Sequence, residues 1–370
     1  MGDLDCPIAH LQTPAYGILC AMLNFADAPI RALIVFNPGA GQASSAEQDI
    51  HAAREVWREH GWQVDLRPTA GPGDGIRIAR EAAAQGYHMV VAAGGDGTVN
   101  EVINGLAGSE TALAVLPIGT VNVWVRELGL PLQPRAAAEA LLQAQIRTID
   151  LGRANDRYFL LMCGVGFDAA VTAEVRADEK RRFGAMAYLL RAANLAGRFR
   201  GTRARITLDG RTVRGRVLMI VLGNSQLYGG VVKFTARASM DDGLLDVCII
   251  KGNSLWSAPF RALSVVTQRY NLDPEIEYHR ARDITISARR PLPVQVDGDH
   301  IGQTPMTFTA VPGALRALLP ATLPQDLLRP DVQPPRYVWR RMLTWIGQRL
   351  QPLRRTSTRT PAEREHAERR

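Results

Sequence analysis

Between Met89 and Leu106 the chain reads MVVAAGGDGTVNEVINGL, and adjacent glycines, an aspartate and a threonine there could do chemistry together. Apolar Met89 to Ala93 gives way to Gly94-Gly95-Asp96-Gly97-Thr98, after which Val99, Val102, Ile103 and Leu106 recur at helical spacing. The pattern predicts a strand, a glycine turn and a helix. The first N–H groups of a helix have no partner within it and the helix dipole favours negative charge, so phosphate suits such a turn. Glycines lack Cβ and tolerate positive φ, which lets phosphate approach closely. Asp96 is repulsive there unless it holds a metal, directly or through water, or orients a neighbouring group. A magnesium nucleotide is therefore the expected occupant. A purely structural strand-to-helix turn needs none of this particular combination.

A second acidic candidate lies far downstream. Leu292 to Val296 reads as a strand running into Asp297-Gly298-Asp299, and Asp-Gly is also the commonest hairpin turn signal. The two roles are compatible. Asp241-Asp242-Gly243 likewise reads as an Asp-Gly turn.

The elements that must position these residues follow from periodicity. Arg31 to Phe36 is an apolar strand ending at the turn-rich Asn37-Pro38-Gly39-Ala40-Gly41. A helix follows, capped by Ser44 or Ser45, with Ile50, Val56 and Trp57 inward; then a strand over 62–66 and a helix over 75–84. After the Thr98 helix, a strand over 113–116 leads into Pro117-Ile118-Gly119-Thr120, and helices over 121–128 and 135–144 close the unit. Strands alternating with helices imply a parallel sheet with right-handed crossovers, whose ligands sit outside the carboxyl ends of the strands. Beyond Asp150 the texture turns strand-like, over 157–165, 204–208, 216–222, 244–250 and 283–288, with one helical pattern over 182–199. A mainly antiparallel β domain is expected there. The expected division is an extension over 1–28, an α/β domain over 29–150, a β-rich domain over 151–312, a segment over 313–330 returning to the first domain, and a basic tail over 331–370.

Five segments in order resemble the lipid-kinase family that includes diacylglycerol kinases, sphingosine and ceramide kinases and the bacterial soluble lipid kinases. They are Asn37 to Gly41, Gly94 to Leu106, Pro117 to Asn122, Asp241-Asp242-Gly243-Leu244-Leu245-Asp246, and Val296-Asp297-Gly298-Asp299. The resemblance covers residues 31–320 and implies an α/β fold: an N-terminal three-layer domain like those of NAD kinase and phosphofructokinase, then the β domain. It implies an ATP- and Mg2+-dependent kinase acting on a lipid alcohol, diacylglycerol or a sphingoid- or ceramide-like lipid. Carried over by position, Asn37, Pro38, Gly39, Ala40, Gly41, Gly95, Asp96, Gly97, Thr98, Val99, Asn100 and Glu101 would surround ATP, joined by Thr69, Thr120 and Asn122. Asn122 can bond ribose, phosphate or a metal-bound water. Asp150 matches a position in the family's acid and water network around Mg2+. Asp297 takes the general base, and Ser239, Asp242 and Leu244 match a loop that binds a structural Mg2+. One departure stands out: where many relatives carry Asp after the Asn of Gly-Thr-x-Asn, this chain has Val123, which cannot hold a metal.

Rival readings are a NAD kinase or sugar kinase sharing the Gly-Gly-Asp-Gly turn, and a non-catalytic lipid- or nucleotide-binding regulator that kept the fold. No second glycine- and threonine-rich acceptor segment stands downstream, which disfavours the first; Asp96, Asn122 and Asp297 disfavour the second. There is no Gly-x4-Gly-Lys-Ser/Thr segment, and Gly39 and Gly41 lack the third glycine of a dinucleotide fingerprint.

The chain has 370 residues, a formal charge of +8 and 46% apolar residues, as in a soluble globular protein of two domains. Cys6, Cys20, Cys163 and Cys248 show no metal spacing and are expected as buried thiols. No secretory leader is evident, so a cytoplasmic protein is expected. Residues 331–370 hold ten arginines against four acids, leaving the body nearly neutral and disfavouring nucleic acid as partner. Val338, Met342, Trp345, Ile346 and Leu350 form a helical stripe flanked by arginines, suited to a peripheral place on the anionic inner face of the membrane or to packing on the body.

Overall fold

Four apolar six-residue runs form the first half of the sheet: β1 (Arg31–Phe36), β2 (Gln63–Pro68), β3 (Met89–Gly94) and β4 (Ala112–Pro117). The computed structural model describes residues 29–39, 43–174, 194–195, 198–229, 233–253, 273–321, 323–324 and 327–328. The four strands pair in parallel in the order β4-β3-β1-β2. β3 and β4 are buried at every residue, which is why they read as unbroken apolar runs rather than as alternation. The chain leaves β1 for β2 on one side and returns to β3 on the other, so the switch point opens between the carboxyl ends of β1 and β3.

Connecting helices are α1 (Ala43–Glu59), α2 (Asp74–Ala84), α3 (Asp96–Leu106), α4 (Val123–Glu127) and α5 (Pro134–Leu141). α1 buries Ile50, Ala53, Val56 and Trp57 at helical spacing. The Trp57 indole N–H donates to the Ala138 carbonyl at 3.0 Å and its ring stacks on Trp62 at 5.6 Å between centroids, fastening α1 to α5 and to the entry of β2.

The second half is antiparallel: β5 (Gln145–Ala154), β6 (Arg157–Phe159), β7 (Met162–Gly166), α6 (Phe167–Glu174), β8 (Thr202–Leu208), β9 (Arg211–Gly223), β10 (Leu245–Lys251), β11 (Ile276–Ala281), β12 (Asp283–Ala288), β13 (Pro293–Val296), β14 (Asp299–Gln303) and β15 (Met306–Leu319). Its own core gathers Ile206, Val217, Leu222, Val247, Ile284, Val294 and Phe308. The two halves share strands. β15 pairs with β12 at its start, runs antiparallel to β5 and touches β4 in parallel at Ala317 and Leu113. The border expected at Asp150 falls inside β5, so one sheet runs through both halves.

The strand expected over 157–165 is broken into β6 and β7, because the Leu160 and Leu161 N–H groups go to the Asp297 carboxylate instead of a ladder. Cys163 and Cys248 are buried thiols, and burial pushes Cys248 up to about 12. Cys6, Cys20, most of the 182–199 pattern and the 331–370 stripe lie outside the described residues. Among the described residues no helix is long and apolar enough to cross a membrane.

Candidate active site

Two glycine turns meet at the carboxyl edge. Gly119 donates its N–H to the Gly94 carbonyl at 3.1 Å, and a Cβ on Gly119 would stand 2.4 Å from the Gly95 Cα. A Cβ on Gly94 would stand 2.3 Å from the Thr98 hydroxyl. Both positions therefore demand glycine, and the Gly95 start of α3 has no side-chain cap over its first N–H groups. Such a bare backbone cradle fits the phosphates of ATP.

Asp96 orients its neighbour: its Oδ1 accepts the Val123 N–H at 2.7 Å, at the start of α4. Asn122 adopts a left-handed φ of 52° and donates its amide to the Gly119 carbonyl at 2.7 Å, shaping the second turn. At the end of β1, Asn37 Oδ1 accepts the Gly39 N–H at 2.8 Å beside Pro38, and Thr69 at the end of β2 donates its N–H to Phe36 at 2.8 Å. The structure thus brings Asn37, Pro38, Gly39, Thr69, Gly95, Asp96, Gly97, Thr98, Thr120 and Asn122 to one edge. Ala40 and Gly41 lie outside the described residues.

Three expected ATP residues point elsewhere. Val99 is buried in the core. Glu101 accepts the Gly73 and Gly75 N–H groups, each at 2.8 Å, and so holds the start of α2 against α3. Asn100 faces the second half, where its amide donates to Asp297 at 2.9 Å and its oxygen accepts from Arg157 at 2.8 Å.

Asp297 stands at this junction with a left-handed φ of 47° and both oxygens occupied. Oδ2 accepts from Asn100 and from the Leu160 N–H at 2.8 Å; Oδ1 accepts from Leu161 and Met162, each at 3.0 Å. Burial raises its carboxyl above the ordinary range while these four donors pull it back part of the way. Four donors fill the acceptor sites of an ionised carboxylate, leaving none for a substrate proton. Asp299, two residues on, is 40% exposed, and its Oδ2 pairs with Arg157 at 2.9 Å. Its Oδ1 has no hydrogen-bond partner among the described residues.

Behind this turn, Gln295 accepts the Gly298 N–H at 2.8 Å and donates to Asp168 of α6 at 2.7 Å; burial lifts Asp168 to about 6. Arg157, Asn104, Gln295 and Asp168 escaped the sequence reading. Asn104 was within reach: Asn100 and Asn104 lie four apart on one helix face, and Asn104 bonds both the Tyr158 N–H at 2.9 Å and the Tyr158 carbonyl at 3.0 Å.

Asp150 is engaged by two backbone donors. Its oxygens accept the Gly243 N–H at 2.6 Å and the Gly313 N–H at 2.8 Å, clamping the 239–244 loop to β15. Burial raises its carboxyl, and these two bonds oppose the rise. In that loop Ser239 donates to Asp241 at 2.7 Å, Asp242 Oδ1 accepts the Leu244 N–H at 3.0 Å, and Asp242 Oδ2 pairs with Arg280. Each Asp242 oxygen thus has one protein partner, and the Arg280 guanidinium stands beside the loop as its counter-charge.

Comparison with known proteins agrees with this layout. Residues 31–154 match the model of the diacylglycerol kinase catalytic domain, and residues 162–319 match that of the YegS C-terminal NAD kinase beta sandwich-like domain. The Pseudomonas aeruginosa (strain PAO1) protein named "Probable lipid kinase YegS-like" is 37% identical over 79% of this chain and 95% of its own length. This chain belongs to the diacylglycerol kinase and YegS-like lipid kinase family. A Bacillus subtilis (strain 168) protein named "Diacylglycerol kinase" is 28% identical over 80% of this lipid kinase and 99% of its own length. A solved diacylglycerol kinase-like structure from Bacillus anthracis str. Sterne superposes with a TM-score of 0.68 at 26% identity, covering 81% of this chain and 99% of that one. The α/β half and the β-sandwich half of the family are both present, and with them ATP-dependent lipid kinase chemistry as the reaction class.

Proposed function

We propose that the protein transfers the γ-phosphoryl group of ATP to the hydroxyl of a membrane lipid held between the glycine turns and the β13–β14 hairpin. Diacylglycerol is the first acceptor to test, because the fully covered B. subtilis relative bears that activity in its name; a sphingoid- or ceramide-like alcohol is the second. The supporting observation is the Asn100–Asp297 bond of 2.9 Å, which ties the acidic hairpin to the helix whose start would take the phosphates. Phosphoryl transfer is chiefly positioning and charge stabilisation, so a fixed distance between acid and phosphate cradle is what the chemistry requires. Mg2+ bound with ATP would supply neutralisation of phosphate charge, and Asp96, at the start of α3, would help to hold it.

Within this reading the proton acceptor is Asp299, not Asp297. Asp297 spends its four acceptor sites on fixing residues 160–162 and Asn100, whereas Asp299 keeps an oxygen open and is steered by Arg157. The test uses purified full-length protein, radiolabelled ATP, Mg2+, and a panel of diacylglycerol, sphingosine, ceramide and NAD. A labelled lipid is expected; label on NAD alone would overturn the lipid reading. Asp299→Asn should lower kcat by about 10²–10⁴ with the KM for ATP held. If Asp299→Asn turned over normally and a folded Asp297→Asn did not, the base would be Asp297.

A further inference from the structure

The outer face of the second half carries a charge pattern that the kinase reading leaves unused. In the antiparallel register of β8 and β9, Arg203 lies opposite Arg216 and Arg205 opposite Arg214. On the other side of β8, Ser287 of β12 lies opposite Arg205, and Arg289 donates its N–H to the Arg203 carbonyl at 2.8 Å. All five arginines are exposed and line one groove, while the alternating Ala204, Ile206 and Val217 face the core. Like charges directly opposite on neighbouring strands destabilise a sheet. Arg216 donates to the Asn253 side chain at 2.8 Å, and among the described residues none of the five pairs with a carboxylate. No acidic side chain lines the groove. A sheet that sets two arginine pairs face to face without counter-charge is built to receive anions from outside.

We propose that this five-arginine face docks the protein on an anionic phospholipid bilayer. The proposal rests on the lipid-kinase reading in one respect: a lipid acceptor resides in a bilayer, and an enzyme that uses it must be held there. Guanidinium groups stay charged at any physiological pH and bind phosphate by paired hydrogen bonds. A sheet face spreads them in two dimensions, as a layer of headgroups requires. The groove holds arginine, serine, alanine and glycine but no aromatic side chain on which a base could stack, which disfavours single-stranded nucleic acid. The near-neutral net charge of the body concealed this face, because acids elsewhere cancel it in the sum.

The test compares full-length protein with Arg203→Gln/Arg205→Gln/Arg214→Gln/Arg216→Gln in co-sedimentation with phosphatidylglycerol vesicles and with phosphatidylcholine vesicles, at low salt and at high salt. Each basic residue near an anionic surface contributes about fivefold to partitioning, so the quadruple variant should lose at least about tenfold on phosphatidylglycerol. Wild-type binding should fall at high salt and be weak on phosphatidylcholine. Melting temperature should stay level or rise as the like-charge pairs are relieved, and activity on a dispersed short-chain lipid acceptor should be unchanged. Undiminished phosphatidylglycerol binding by the variant would overturn the proposal, as would wild-type binding to an oligonucleotide that exceeds vesicle binding and is lost in the variant. Failure of both proteins to phosphorylate any lipid, with vesicle binding still lost in the variant, would sink the kinase reading and leave the docking face standing.

Discussion

At the scale of single residues, the site depends on what is absent from a backbone as much as on what side chains supply. Gly119 and Gly95 touch through Cα, and Gly119→Ala would force the two turns apart by the room of one methyl. A loss of about 10²-fold in kcat/KM for ATP is expected, with the protein still folded by circular dichroism; unchanged ATP kinetics would show that the turns do not hold the nucleotide. Asp246 poses a different residue-scale problem. It is fully buried in β10 with the Arg280 guanidinium 3.7 Å from Oδ2, and burial lifts its carboxyl to about 7 against the partial help of Tyr278 and Arg237. A raised carboxyl favours the folded state most when protonated, so this contribution is whole below the unfolded value near 4 and is lost as pH climbs through about 7. Asp246→Asn should match wild type in melting temperature at acidic pH and exceed it by a few degrees, roughly, at pH 8. A constant gap across that window would contradict the assignment.

At the scale of elements, α3 is the hub. Asp96 sets the start of α4, Glu101 holds the start of α2, and Asn100 and Asn104 grip β6 and the hairpin turn. Val99, Val102, Ile103 and Leu106 bury its apolar face, so the polar positions are divided among the neighbouring elements by helical geometry alone. Asp150 acts likewise for β5, joining the 239–244 loop to the bulge of β15. Asp150→Asn replaces one acceptor by a donor facing a backbone N–H, which should destabilise the protein by about 1–3 kcal/mol in urea titration. Its Kd for ATP should be unchanged. A large loss of ATP affinity with full stability would restore Asp150 to the nucleotide site.

At the scale of the whole molecule, β5 and β15 belong to both halves, and one sheet connects the phosphate cradle to the acidic hairpin. Neither half can lose these strands without exposing the edge of the other. Tryptophan fluorescence, which includes Trp57, Trp62 and Trp124 of the first half, and far-ultraviolet circular dichroism, which also reports the antiparallel half, should therefore share one midpoint in urea. Two separated midpoints would mean that the halves are independent domains. The arginine face belongs to this scale too, since only the pairing of β8, β9 and β12 turns scattered arginines into a surface.

Local pattern carried much of this protein. The strand, glycine turn and helix at 89–106, the parallel pairing of the first half, the Asp-Gly hairpin and the motifs of the family likeness were all legible in the chain, because each depends on residues within a few positions of one another. The free acceptor site was not. Whether a carboxylate is available depends on donors that arrive from elsewhere: Asp297 is saturated by residues more than 130 positions away, and Asp150 is held by Gly243 and Gly313. The sequence alone determined which residue types line the cradle, whereas the long-range pairing of β5, β7, β13 and β15 decided which acid is left open to a substrate, since hydrogen-bond capacity is finite and only the folded chain allocates it.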